Sequence, residues 1–277
     1  MVFKPWTDIK TPRHLVSDLD DLTPSMESPV PSVTVKLTEE GSKLSGKLLV
    51  LPQSLKFIQE AFKATLPQDQ QADAVIGVIE IRNQATSTPR TEQNDQEEQE
   101  DYSLEEQLYQ AHPSDFVSGH NADIQITQSQ GITFIVVPNF NTPILFNLLA
   151  QSLSQHCEGI QEILTITPGQ SAHLTNLTKL SNSKSQSYET IPTLTPPYYI
   201  TGIAASLLTQ SDTCSKRLVT ALVLQSEGPQ GYEKVNNDSI SEVSFPLAQF
   251  IGTERKNLLK SMRNEIRGTA NNFALYL

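Results

Sequence analysis

The chain has 277 residues, of which 37% are hydrophobic and 18% are charged, and its formal net charge at pH 7 is −11. It is long enough to bury a substantial core, and no apolar run is long enough to predict a membrane span. Two cysteines do not make a disulfide framework, and the amino-terminal residues lack the apolar core of a secretory signal. We therefore expect a cytoplasmic protein, with the nucleus open as a second location.

The predicted strands are short runs of aliphatic and β-branched residues, and they fall at 33–37, 47–51, 74–81, 123–127, 132–137, 160–167 and 218–224. The predicted helices have apolar residues at helical spacing, and they fall at 55–66, 144–153, 199–209, 240–251 and 254–266. Ser54 is placed to cap the first helix, and the last is expected to stop near Gly268. Residues 170–190 are rich in Ser, Asn and Lys and predict a loop with at most one helix. A hairpin turn is predicted at Gln128–Gly131.

Strands that alternate with helices predict an α/β protein, specifically a three-layer α/β/α sandwich with a mixed sheet. The Pro-rich residues 1–32 predict an extended arm, in which Trp6 is the expected docking point. A single α/β domain is expected over 33–267. Residues 268–277 are expected to form a flexible tail.

The acidic charge is concentrated in one segment of the expected domain. Residues 83–107 carry eight acidic side chains against Arg90, a net charge of −7, so the rest of the chain is close to neutral. A segment with so little apolar surface cannot offset its ordering entropy. It is predicted to be a disordered insert, with a binding role as the less favoured alternative.

Catalytic motifs are poorly represented in the sequence. There is no Walker loop, no dinucleotide-binding glycine motif and no His-Glu-x-x-His. The stretch Gly169–His173 begins like a nucleophile elbow but has histidine where the second glycine belongs. His156 and Cys157 are adjacent on a helix and point about 100° apart, so Cys157 is interpreted as a small apolar filler. We expect no catalytic residues, metal or cofactor. A hydrolase-like α/β enzyme with an unrecognised site is the alternative.

Four basic residues, Lys256, Lys260, Arg263 and Arg267, lie on the polar side of the last predicted helix. Such a face is usually solvated, and contact with an acidic surface is the alternative. Basic residues elsewhere are too few and too scattered to predict a nucleic-acid interface.

The chain ends in Leu275-Tyr276-Leu277. The leucine and the tyrosine ring supply apolar area, the hydroxyl a polar group, and the terminal carboxylate a partner for a basic side chain. This combination can enter a pocket on another protein, and we predict these three residues to be partner-binding.

Several segments resemble one known family, in the family's order along the chain. They are Phe3–Asp8, Pro12–Leu15, Pro196–Gly202, Leu207–Gln210, Ser226–Lys234 and the terminal tripeptide. Together they resemble the fungal Pba-type proteasome assembly chaperones, specifically the first subunit of the heterodimer that caps the alpha ring. Residues 16–131 match only loosely. The Ser226–Lys234 segment also has the composition of an ordinary turn, which is the preferred interpretation of its own residues.

The resemblance implies a non-enzymatic chaperone for assembly of the 20S proteasome. It implies a second, related chaperone subunit and proteasome alpha subunits of immature particles as partners, with no nucleic acid and no membrane. The Leu275-Tyr276-Leu277 tail would dock between neighbouring alpha subunits. Another tail-bearing proteasome adaptor is a further alternative.

Overall fold

The computed structural model describes residues 31–38, 44–66, 74–82, 121–140, 142–169, 175–182, 188–214, 217–228 and 233–274. Nearly all of the predicted arm, the acidic insert and the terminal tripeptide lie outside these residues.

The described residues form a single mixed sheet. Its strands are β1 Ser32–Leu37, β2 Ser45–Pro52, β3 Ala74–Arg82, β4 Asn121–Ser129, β5 Ile132–Val137, β6 Gly159–Gly169, β7 Leu177–Ser181, β8 Leu218–Glu227 and β9 Lys234–Val235. Their order is β1-β3-β4-β5-β2-β6-β8-β7, with β9 paired to β8. Strands β5, β2, β6 and β8 are parallel to one another, and the remaining pairs are antiparallel.

Helices cover both faces of this sheet. They are α1 Phe57–Thr65, α2 Ile144–His156, α3 Gly202–Cys214, α4 Asn237–Ile251 and α5 Arg255–Ala274. Helices α1, α4 and α5 share one apolar cluster with the sheet, and α2 and α3 share a second cluster on the other face. The predicted three-layer α/β/α sandwich with a mixed sheet is confirmed. No helix in the described part of the chain is both long and apolar enough to cross a membrane.

The central strand β2 shows why the sheet needs two helical layers. Leu49 and Leu51 belong to the α1–α4–α5 cluster, whereas Leu48 and Val50 belong to the α2–α3 cluster. All four side chains are fully buried. Successive residues of a strand point to opposite faces, so a continuous apolar run must be covered on both sides.

The predicted hairpin is confirmed between β4 and β5. Gln130 and Gly131 have φ values of 50° and 78°. Two consecutive residues with positive φ are typical of a tight turn whose twist matches the flanking strands. The same turn approaches Gly46, where a Cβ atom would lie 2.6 Å from the Gly131 carbonyl oxygen. Glycine at position 46 is therefore required by a close backbone contact.

The prediction that Ser54 caps the first helix is wrong. Gln53–Leu55 form a 3-10 turn, and α1 then begins at Phe57 with no side-chain cap. The Ser54 hydroxyl has no hydrogen-bond partner within the described residues. Leu55, the last residue of this turn, is fully buried. Its packing in the core, and not a side-chain cap, holds the chain in place just before α1.

The prediction that residues 170–190 form a loop with at most one helix is wrong in part, because Leu177–Ser181 form strand β7. This strand pairs with β8, and its only apolar residues are Leu177 and Leu180. Its outer edge is covered by 192–194: the Lys179 amide donates to the Pro192 carbonyl at 2.9 Å, and the Leu194 amide donates to the Lys179 carbonyl at 2.8 Å. An edge strand protected in this way needs no long apolar run.

The last helix does not stop near Gly268. Helix α5 continues without interruption to Ala274, so the expected flexible tail is helical over 268–274. A glycine inside a helix costs only about 1 kcal/mol relative to alanine. No proline follows Gly268, so that cost does not end the helix.

The acidic insert connects the two strands of a second hairpin. Arg82 at the end of β3 pairs directly with Asn121 at the start of β4. Replacing Gln84–Glu106 with a short Gly/Ser linker should change the free energy of unfolding by no more than about 0.5 kcal/mol, because the strand ends already lie side by side. Urea unfolding of both chains checks this. A much larger loss of stability would mean that the insert packs on the fold.

The helical state of Gly268 gives a second prediction, with Gly252 as the matched control. Gly268→Ala should stabilise α5 by about 0.4–1 kcal/mol, since alanine suits a helix interior. Gly252 has a φ of 79° at the end of α4, so Gly252→Ala should destabilise the protein. Hydrogen exchange of the α5 amides and urea unfolding measure both effects. A loss of stability in Gly268→Ala would contradict a continuous helix.

Candidate partner-binding surfaces

The carboxyl ends of the four parallel strands define one edge of the sheet, here called the carboxyl edge. Helix α4 begins at this edge: the Asn236 side chain accepts from the Ser239 amide at 2.6 Å, and the Ser239 hydroxyl donates to the Gln225 carbonyl near the end of β8 at 3.3 Å. Its other end lies at the opposite edge, where Lys47 Nζ near the start of β2 donates to the Phe250 carbonyl at 2.7 Å.

Helix α5 folds back from that opposite edge. Gly252 ends α4 in the left-handed conformation, and its amide donates to the Ala248 carbonyl at 2.8 Å. The Arg255 guanidinium then donates to the Ser241 carbonyl at 3.1 Å, about three turns back from the end of α4. Two helices joined by so short a turn form an antiparallel hairpin. With 20 residues, α5 is about 30 Å long, so we infer that it carries the chain back to the carboxyl edge.

The first half of α5 is firmly anchored. Leu258 and Met262 are fully buried in the cluster that α5 shares with α1 and α4. Leu259 and Ile266 are partly buried against the same cluster. Each of the two fully buried side chains contributes about 1.5–3 kcal/mol of burial free energy. The direction of α5 is therefore fixed by the core.

The predicted binding residues Leu275, Tyr276 and Leu277 lie outside the described residues, so their prediction is not tested by the structure. They follow directly on Ala274, the last residue of α5. Three residues span at most about 10 Å. The prediction of a flexible tail over residues 268–277 did not include the helical state of 268–274.

The four basic residues predicted to share a face are indeed exposed on α5. Lys256, Lys260, Arg263 and Arg267 recur at helical spacing, on the side away from Leu258 and Met262. We call this set the basic stripe. None of its members forms an ion pair with another residue in the described ranges. It is an exposed row of positive charge that leads toward the carboxyl terminus.

A polar groove of about 530 Å³ lies between α1 and β4. At its base, Gln59 donates a buried hydrogen bond to the Thr127 hydroxyl at 2.9 Å. Its rim carries Lys56 and Lys63, which flank Glu60 at 3.9 and 3.5 Å. The lining holds no cysteine, histidine or serine.

Next to this groove, the face of β1, β3 and β4 carries cross-strand ion pairs. Lys36 contacts Glu80 at 2.8 Å, and Arg82 contacts Asp123 at 2.7 Å. These pairs could not be predicted from the sequence, because each joins two strands and only the strand order of the sheet shows which strands are neighbours. Exposed pairs of this kind are weakly stabilising and contribute mainly to solubility and register.

The weighed catalytic candidates do not form a site. Cys157 is fully buried, and burial raises the pKa of its thiol to about 12, so the reactive thiolate is disfavoured. His156 ends α2 with Nδ1 2.9 Å from the Ser152 carbonyl. Gly169 ends β6, and 170–173 of the elbow-like stretch lie outside the described residues. Among the described residues, no group of three or more His, Cys, Asp or Glu side chains could hold a metal ion.

Comparison with known proteins gives concordant matches. The family model described as POC1 chaperone matches residues 1–277. The chain is 25% identical over 276 residues to Proteasome chaperone 1 of Saccharomyces cerevisiae, covering 92% of this chain and 90% of the yeast protein.

Two solved archaeal structures share the fold. PbaA of Pyrococcus furiosus, described as an archaeal homolog of proteasome-assembly chaperone, superimposes with a TM-score of 0.52 at 14% identity, over 84% of this chain and 92% of that one. PbaB of the same organism, described as an archaeal proteasome activator, gives a TM-score of 0.50 at 12% identity, over 87% and 98%. The identities are low, so these two matches show the fold alone. On the full-length match to the family model, the chain belongs to the POC1 chaperone family.

Proposed function

We propose that the protein is a non-enzymatic chaperone of 20S proteasome assembly. It acts in a heterodimer with a second, related subunit, binds the outer face of the alpha ring, and docks its carboxyl terminus between alpha subunits. The observation that carries this proposal is helix α5, which is anchored in the core by Leu258 and Met262 and runs without interruption to Ala274, the residue before Leu275-Tyr276-Leu277. The names of the yeast relative and of PbaA support the proteasome as the target.

The chemistry of the tripeptide suits a pocket between two subunits. Burying Leu275 and Tyr276 contributes about 1.5–3 kcal/mol each. A charge-assisted hydrogen bond that the Leu277 carboxylate accepts from a lysine adds about 1.5–3 kcal/mol. Loss of rigid-body freedom and ordering of the chain offset much of this gain. The tripeptide alone is thus expected to bind only in the millimolar range, near −4 kcal/mol.

Helical presentation changes this balance in two ways. Because α5 is helical to Ala274, residues 268–274 need not become ordered on docking, which lowers the entropic cost. The tripeptide can reach only about 10 Å beyond the helix, so the folded body must lie next to the pocket. Contacts from the body, and from the second subunit, then act with the tail through a high effective concentration.

A second candidate is a proteasome activator, favoured by the description of PbaB. A chaperone and an activator differ in the particle that they engage and in the consequence. The purified heterodimer would be added to mature 20S particles in a peptide-hydrolysis assay. Stimulated hydrolysis supports the activator. Preferential binding to immature particles, without stimulation, supports the chaperone.

The tail proposal predicts a graded loss of binding. Tyr276→Ala removes the ring and the hydroxyl, and deletion of Leu277 displaces the carboxylate. Each change should weaken binding of the heterodimer to immature particles at least about tenfold, equal to about 1.4 kcal/mol. Tyr276→Phe keeps the ring and should lose less. Affinities measured with purified particles, with circular dichroism as the folding control, decide the matter. Equal affinities for all chains would mean that the tripeptide does not contribute to binding.

The proposed heterodimer predicts poor behaviour of the isolated chain. Tyr199 is 81% exposed, and Ile144, which the sequence placed in an apolar stripe, is 44% exposed. Ile144 begins α2 and Tyr199 lies just before α3, the two helices of one layer. The proposed second subunit would cover these two side chains. Expressed alone, the chain should self-associate, and addition of the second subunit should raise its melting temperature. A stable monomer whose melting temperature is unchanged by the second subunit would contradict this.

A further inference from the structure

The basic stripe occupies a narrow sector of α5. Its members are Lys256, Lys260, Arg263 and Arg267. At about 100° per residue, all four side chains fall within a sector of about 60°. All four are exposed, and the fully buried Leu258 and Met262 lie on the opposite side. Because the opposite side of α5 is packed in the core, the stripe faces away from the core in one direction.

The four members of the stripe lie at different distances from the carboxyl end of α5. With a rise of about 1.5 Å per residue, Arg267 is about 10 Å from the end of α5 at Ala274, whereas Lys256 is about 27 Å away. Only three residues follow Ala274. When the terminus is docked, the Arg263–Arg267 end of the stripe must therefore lie close to the rim of the pocket.

We propose that this end of the basic stripe binds an acidic protein surface that borders the pocket for the carboxyl terminus. The inference rests on the proposed function, which supplies the pocket. Complementary charge supports it: exposed guanidinium groups without an ion-pair partner in the described part of the chain are suited to carboxylates on a facing surface. Such contacts steer association and set its salt dependence.

The chain itself carries a competing occupant. Residues 83–107 have a net charge of −7 and join β3 to β4 at the same edge of the sheet. The external surface is favoured because the stripe leads into the docking terminus, whereas nothing requires the insert to approach it. Deletion of Gln84–Glu106 separates the two occupants experimentally.

The test uses two pairs of neutralising substitutions in the full-length heterodimer. Arg263→Gln with Arg267→Gln removes the charges near the terminus. Lys256→Gln with Lys260→Gln removes the same charge farther away and is the matched control. Association rates with immature particles would be measured at low and at high salt. Arg263→Lys with Arg267→Lys keeps the charge and serves as the rescue.

We expect the arginine pair to slow association at least about fivefold at low salt and less than about twofold at high salt, because exposed charges are screened over about 8 Å at physiological ionic strength. The lysine control should change the rate less than about twofold, and the rescue should restore it. The same effect should persist in the chain that lacks Gln84–Glu106.

Three results would overturn the proposal while Tyr276→Ala still weakens binding: no effect of the arginine pair, equal effects of both pairs, or an effect that persists at high salt. Loss of the effect on deleting the insert would identify the insert as the occupant and also overturn it. If Tyr276→Ala itself had no effect on binding, the proposed function would fail, and the inference with it.

Discussion

Four parallel strands at the centre of the sheet are apolar on both faces, and this constraint fixes where every helix lies. Strand β2 places Leu48 and Val50 on one side and Leu49 and Leu51 on the other, all fully buried. Each face then requires its own layer of helices. Helix α5 is held through this requirement, because it completes the layer that α1 and α4 begin. The path of α5 is thus a consequence of core packing.

Much of this arrangement could be predicted from the sequence. Continuous apolar runs such as Leu218–Leu224 indicate central strands, and Gly131 marks its hairpin because glycine tolerates positive φ without strain. The misses have a common physical origin. Strand β7 has mixed polarity because it lies near an edge, where pairing with β8 supplies the stability that its own sequence lacks. Tertiary contacts of that kind are not visible in a local pattern.

Part of the candidate binding site could likewise be predicted from the sequence, and part could not. The chemistry of Leu275-Tyr276-Leu277 is contained in three side chains and a carboxylate, so a sequence suffices to propose it. Its presentation depends on whether Gly268 ends the helix. Glycine serves equally as a C-terminal cap and as a tolerated interior residue, and only the neighbouring structure decides between them. Because α5 continues to Ala274, only Leu275, Tyr276 and Leu277 of the printed sequence follow the described helix.

The central claim is that the carboxyl terminus occupies a pocket between proteasome alpha subunits. It is tested most directly by placing a photo-crosslinking phenylalanine analogue at Tyr276 in the full-length heterodimer, bound to immature particles. The same analogue at the exposed Tyr199 serves as the control. Mass spectrometry of the products should show crosslinks from position 276 to two neighbouring alpha subunits, and none to these sites from position 199. Crosslinks from position 276 only within the chaperone, with binding retained, would contradict the account.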